Sequence, residues 1–202
     1  MAMLMSCLFL LLAPRQSLLE VFPEPNHAAL RKQVSQLGVI RARLAGGLPA
    51  KEATHWRQAD LTINAEALQE ALDPLALLEV RVNPEGRVRV TRGPGGLSLR
   101  VGQATLCLVK VVNGSGGQQR MKPMVHAPGE VTPVVLVDWD PGPPGGDLTG
   151  LLVEYRLLRL TGVRAGLYEV VFSVEAGQGT QDLGFRGEAP VLARIRKNDS
   201  EK

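Results

Sequence analysis

Gln178, Thr180, Gln181, Asp182 and Arg186 are the polar side chains that crowd most closely between two hydrophobic runs, in Gly177-Gln-Gly-Thr-Gln-Asp-Leu-Gly-Phe-Arg186. Two amides, a hydroxyl, a carboxylate and a guanidinium supply donors and acceptors of every kind. Such a stretch can hydrogen-bond a ligand, or it can order itself around an Asp182 to Arg186 ion pair. Glycines at 177, 179 and 184 mark it as a loop, and loops held between rigid elements carry most binding residues. These five residues are therefore the candidate binding site, with a self-ordered structural loop as the competing reading. Gly177-Gln-Gly179 also begins like a dinucleotide fingerprint. The next glycine, Gly184, comes too late, and Pro190-Val191 continues as strand, so no anion-binding helix terminus follows.

The other reactive side chains are scattered. His27, His55 and His126 stand alone, without the spacings that gather zinc ligands. Asp138, Asp140 and Asp147 flank a Gly/Pro run and carry calcium-type oxygens, but acidic residues at strand ends are common turn formers. Ser115 sits in Asn-Gly-Ser-Gly-Gly, a flexible turn rather than the elbow that presents a catalytic serine. Arg81, Arg87, Arg89 and Arg92 make a basic stripe with no aromatics interleaved for base stacking, which reads as a solvated sheet face. Cys107, inside Thr105-Leu-Cys-Leu-Val109, reads as a buried inert thiol. The sequence thus points to no catalytic residue, no metal, no cofactor and a non-enzymatic role.

The loop must be held by the strands on either side of it. In Tyr168-Glu-Val-Val-Phe-Ser-Val174, Tyr168, Val170, Phe172 and Val174 share one face, the period of a half-buried strand. Residues 190–196 form the strand that follows. Earlier, Asn-Pro-Glu-Gly at 83–86 predicts a hairpin whose register can be derived. A type I turn with Gly86 left-handed pairs Val82 with Val88 and Val80 with Val90, at the cost of Arg81 opposite Arg89. Further strands are expected at 97–101, 104–112, 131–138 and 151–160. With Gly/Pro turns between them this makes about eight short strands.

Before residue 76 the period is helical. Leu30, Val34, Leu37, Ile40 and Leu44 form a stripe over 27–45, with Asn26 as N-cap and Gly46-Gly47 as the stop. Shorter helices are expected over 49–58 and 65–72, the latter capped by Asn64, with Ile63 placed to staple onto Leu68. The expected fold class is mainly β: an antiparallel β-sandwich, immunoglobulin-like or similar, with a small helical N-terminal region. Its domains are 1–22 (signal peptide and connector), 23–75 (helical), 76–197 (β-sandwich) and 198–202 (tail).

Net charge is only +3 and the basic residues are spread out, which argues against nucleic acid as a partner. The apolar run 1–13 is too short for a membrane-spanning helix but has the size of a signal-peptide core, although no Lys or Arg precedes it. It predicts a secreted or periplasmic protein, with a cytoplasmic one as the alternative. Loss of the leader would leave Cys107 as a single thiol.

Three runs carry a resemblance: Leu148-Thr-Gly-Leu-Leu-Val-Glu-Tyr-Arg156, Tyr168-Glu-Val-Val-Phe-Ser-Val174, and the loop core Thr-Gln-Asp-Leu-Gly-Phe-Arg186. Together with the Asn-Pro-Glu-x-Arg-Val turn of 83–88, they resemble the β-rich N-terminal region of a family of uncharacterised secreted bacterial proteins. In that family a helical segment comes first and a metallohydrolase domain of the polymerase-and-histidinol-phosphatase type often follows. The resemblance covers about residues 25–196, and the His- and Asp-rich metal site of the hydrolase has no counterpart in it, so no catalytic residue carries over. The expected function is a non-catalytic binding or positioning module for an unknown protein or glycan. An accessory part of a secreted metallohydrolase and a structural envelope protein are the alternatives.

Overall fold

The computed structural model describes residues 19–44, 50–129, 132–139, 147–176 and 185–198. The expected stripe on the first helix, α1 (His27–Leu44), is buried at Leu30, Val34 and Leu37, and the Asn26 carboxamide accepts the Ala29 N–H at 3.1 Å. Two shorter helices follow, α2 (Ala50–Asp60) and α3 (Ala65–Leu72), the second capped by Asn64 accepting from the Ala67 N–H at 2.8 Å. The expected staple does not form: Ile63 is 88% exposed, while Leu68 is taken wholly into the core. The glycine stop at 46–47 lies outside the described residues. A 3-10 turn, Asp73–Leu75, then delivers the chain into the first strand.

Nine strands follow among the described residues: β1 (Ala76–Val82), β2 (Val88–Arg92), β3 (Leu97–Arg100), β4 (Ala104–Asn113), β5 (Met121–His126), β6 (Val134–Trp139), β7 (Val153–Gly162), β8 (Gly166–Ala176) and β9 (Arg186–Arg196). The protein is mainly β, with helices at its N-terminal end. One sheet has the order β2-β1-β4-β7-β6 and the other β3-β9-β8-β5. The hairpin register is the one derived from turn chemistry: Val82 faces Val88, Val80 faces Val90, Arg81 faces Arg89, and Gly86 has φ of 79°.

Three expectations need correction. Pairing is not purely antiparallel, because β1 lies parallel to β4 and β3 parallel to β9. Parallel neighbours need a long connection, and here β2, beside β1, and β3, in the other sheet, supply it before β4 returns to the free side of β1. Residues 121–126 form a strand despite Pro123, because β5 is an edge strand and edges tolerate a missing N–H. The last strand begins at Arg186, not at Pro190. Pro190 fits because β3 pairs only with residues 193–196, leaving that edge of β9 without a strand at 190. Gly187 lies where β9 crosses β2, and a Cβ there would stand 2.6 Å from the Val90 nitrogen.

The two sheets share one apolar core, to which the first contributes Val80, Val109, Val111, Leu158 and Leu160 and the second Val170, Phe172, Val174, Val191 and Ile195. The opposite face of the first sheet is also covered. Leu106, Leu108, Val153, Tyr155 and Leu157 pack there against Leu30, Val34, Leu37, Leu68 and Leu72 of the helices. Burial on both faces explains why β4 reads as an apolar run interrupted only by Lys110 between Leu106 and Val112. No helix of the described residues is long and apolar enough to cross a membrane.

Candidate functional site

Of the five residues singled out in the sequence, Gln178, Thr180, Gln181 and Asp182 lie outside the described residues, as does any Asp182 to Arg186 pair. Arg186 opens β9 and pairs instead with Glu188, two residues on along the same face, at 2.7 Å. Both side chains are well exposed, so the pair contributes little stability. Asp140 also lies outside the described residues, and among those described the remaining candidates do not converge. The His55 Nδ1 lies 2.9 Å from the Ala71 carbonyl, and Ser115 donates to Asn113 Oδ1 within its own turn at 2.7 Å. Among the described residues no three His, Cys, Asp or Glu side chains are placed to share a metal.

A constellation that the sequence reading passed over lies under the helices. Register places Glu79 of β1 beside Lys110 of β4, and Lys110 beside Tyr155 of β7. Three adjacent strands thus put a carboxylate, an ammonium and a phenol in a row on the helix-facing side. The 3-10 turn sets Asp73 above them. Lys110 Nζ donates to Asp73 Oδ2 at 2.6 Å, and the Tyr155 hydroxyl donates to Asp73 Oδ1 at 2.6 Å. Lys110 and Tyr155 are fully buried and Asp73 nearly so. Burial pushes the Asp73 carboxyl above its ordinary value, although Lys110 and Tyr155 pull the other way. Burial, followed by the neighbouring Asp73 charge, pushes the Tyr155 phenol well above its ordinary value.

The cluster is closed from the other side by residues 19–26, which run as an extended strap. The Glu20 carbonyl accepts from Lys110 Nζ at 2.8 Å, and the Glu20 carboxylate pairs with Arg81 at 3.0 Å. Arg81 also binds Glu79 at 2.6 Å. The Phe22 ring lies 5.0 Å from the Arg81 guanidinium and 5.8 Å from the Lys110 ammonium. Gln69 on α3 pairs both backbone groups of Phe22, accepting its N–H at 3.0 Å and donating to its carbonyl at 2.6 Å. Beyond the reach of β6, the N-terminal half of β7 finds side chains where a strand would be. The Val153 N–H goes to Glu24 at 2.8 Å, and the Tyr155 N–H goes to Gln33 at 2.9 Å. With both Asp73 oxygens occupied and Lys110 roofed over, none of Asp73, Lys110 and Tyr155 is presented to a ligand. A second buried pair, Glu154 with Arg156, sits on the opposite face of β7, where Glu154 accepts the Thr149 N–H at 2.8 Å. Burial lowers the Arg156 guanidinium from its ordinary value.

The sequence did carry a signal for this cluster. Lys110 interrupts the run Leu-Cys-Leu-Val-Lys-Val-Val, and a charge inside a strand buried on both faces requires a partner.

Two of the openings among the described residues flank the helices and strap. A cleft of about 590 Å³ between α2, the 3-10 turn and β4 is lined by Arg41, Glu52, His55, Leu75, Leu106 and Cys107, and burial pushes the Cys107 thiol up to about 12. A groove of about 400 Å³ lies beside the strap, lined by Phe22, Arg81, Val82, Arg87, Arg89 and Val112.

No family model matches the chain, and no significant match to a curated protein is found. Among solved structures it is similar to domains 4 and 5 of the S-layer protein SbsC, with TM-score 0.30, 14% identity, and 50% of this chain and 46% of that one covered. The chain therefore spans less than half of that structure. It is also similar to the cysteine protease inhibitor EhICP2 from Entamoeba histolytica, with TM-score 0.24, 13% identity, and 58% of this chain and 95% of that one covered. A copper nitrite reductase from Nitrosomonas europaea gives TM-score 0.24, 13% identity, and coverage of 60% and 41%. Scores this low carry no argument about fold or function.

Proposed function

We propose that the chain is a non-catalytic binding or positioning module of an exported bacterial protein, built as a β-sandwich of immunoglobulin-like or similar type with a helical layer fastened over one sheet. The supporting observation is the sealing of Asp73, Lys110 and Tyr155. A catalytic acid, base or nucleophile must reach its substrate, whereas Lys110 is 0% exposed and bonded to Asp73 and Glu20. The role of the cluster is to seat the strap and helices. The apolar leader at 1–13 and the resemblance of the β region to secreted bacterial proteins support export.

Competitive acylation with an amine-specific reagent, read by mass spectrometry, tests the reading. Lys32, Lys51 and Lys122 are exposed and should label readily in the native protein, while Lys110 should label only on unfolding. Labelling of Lys110 at the rate of the exposed lysines would mean that the cluster is accessible, and the reading would lose its support.

A further inference from the structure

We infer that the groove beside the strap is a docking site for an extended acidic segment of a partner protein, held by Arg87 and Arg89. The inference rests on the binding-module reading and gives it a ligand class.

Arg81 and Arg89 lie directly opposite each other on neighbouring strands, an arrangement that like charges disfavour. Arg81 is compensated twice, by Glu79 at 2.6 Å and by Glu20 at 3.0 Å. Arg87 and Arg89, exposed along the same groove, have no ion pair among the described residues. The groove is thus built for carboxylates at three guanidinium positions, and the chain itself fills one of them.

One occupant of this surface is already in place. The strap is an extended peptide that sets a Glu20 carboxylate on Arg81 and, two residues later, the Phe22 ring against the same wall. Side chains two apart point the same way in an extended chain. The surface therefore already accepts an acidic side chain and an apolar one in alternation. Val112, which pairs with Arg81 across the strands, continues the apolar floor, and Arg89 and Arg87 continue the cationic rim.

The geometry also selects the mode of docking. Gly187 of β9 lies against the Val90 backbone, so the free edge of β2 is already crossed and an added strand would meet β9. The partner lies across the face, read through its side chains. The Phe22 ring, engaged by Arg81, offers no free platform for a nucleic-acid base.

The test uses a fluorescein-labelled peptide of alternating Glu and Val, and the same peptide with Gln in place of Glu, titrated against the full chain by anisotropy. The Glu peptide should bind, binding should weaken as salt is added, and the Gln peptide should bind at least about tenfold more weakly. The double variant Arg87→Ala/Arg89→Ala should lose binding by about tenfold or more with an unchanged melting curve, both residues being exposed. Absence of binding, or equal affinity in the double variant, overturns the inference. So does an acidic oligosaccharide that binds through the same arginines where the peptide does not. None of these outcomes alters the labelling of Lys110, so the inference can fail while the module reading stands.

Discussion

The two faces of the five-stranded sheet are buried by different partners, one by the second sheet and the other by the helices and strap. Toward the second sheet, β1, β4 and β7 present Val80, Val109, Val111, Leu158 and Leu160, with the buried Glu154 and Arg156 pair at the start of β7. Toward the helices they present Leu106, Leu108, Val153 and Leu157, with Glu79, Lys110 and Tyr155 in a row beside them. An apolar face tolerates many arrangements of similar volume. A charged face is satisfied only when Asp73 meets Lys110 and Tyr155, and Gln69 meets Phe22. The apolar side chains on both faces supply most of the stability, while the Asp73, Lys110 and Tyr155 cluster fixes where the strap and helices sit.

The largest expected effect follows from removing the cation. Lys110→Met leaves Asp73 buried beside Tyr155 without its countercharge, and urea unfolding should show a loss of about 3–5 kcal/mol. Adding Asp73→Leu should restore part of that loss, because the second change removes the stranded charge. A loss no larger in Lys110→Met than at an exposed lysine would break the contrast between the faces.

The apolar face should show itself at high pH, through Cys107. Its folded thiol ionises at about 12 against an ordinary value of 9.0. Between those values the unfolded chain releases a proton that the folded chain keeps, so stability falls as pH rises, by about 1.4 kcal/mol per unit at most. The wild type should lose stability more steeply than Cys107→Ala from pH 9 upward, and the two should run parallel below it. Parallel curves throughout would mean that the thiol is not shielded.

The smallest effect belongs to Arg186. Because its pair with Glu188 is exposed, Arg186→Ala should change stability by less than about 1 kcal/mol. A larger loss would give this end of β9 a structural weight that its surroundings do not explain.

What could be seen in the sequence was local. The hairpin at 82–88 followed from turn chemistry, and the stripe on α1 from spacing, because both are decided within a few residues. The second sheet's edge strand was hidden by Pro123, which reads as a strand breaker until its place at an edge is known. The parallel pairs were hidden because no local pattern records which sheet a strand joins. The charged cluster was hidden by distance along the chain: Asp73 is 37 residues from Lys110 and 82 from Tyr155. Lys110 within its apolar run was the one visible clue.

Amide hydrogen exchange in wild type and Lys110→Met, compared residue by residue under native conditions, tests the fastening role most directly. The Phe22 and Val153 amides, held by Gln69 and Glu24, should be protected in the wild type. In the variant they should exchange much faster, together with α1 and α3, while Val170, Phe172 and Val191 between the sheets keep their protection. Equal acceleration everywhere, or none at Phe22 and Val153, would contradict the account.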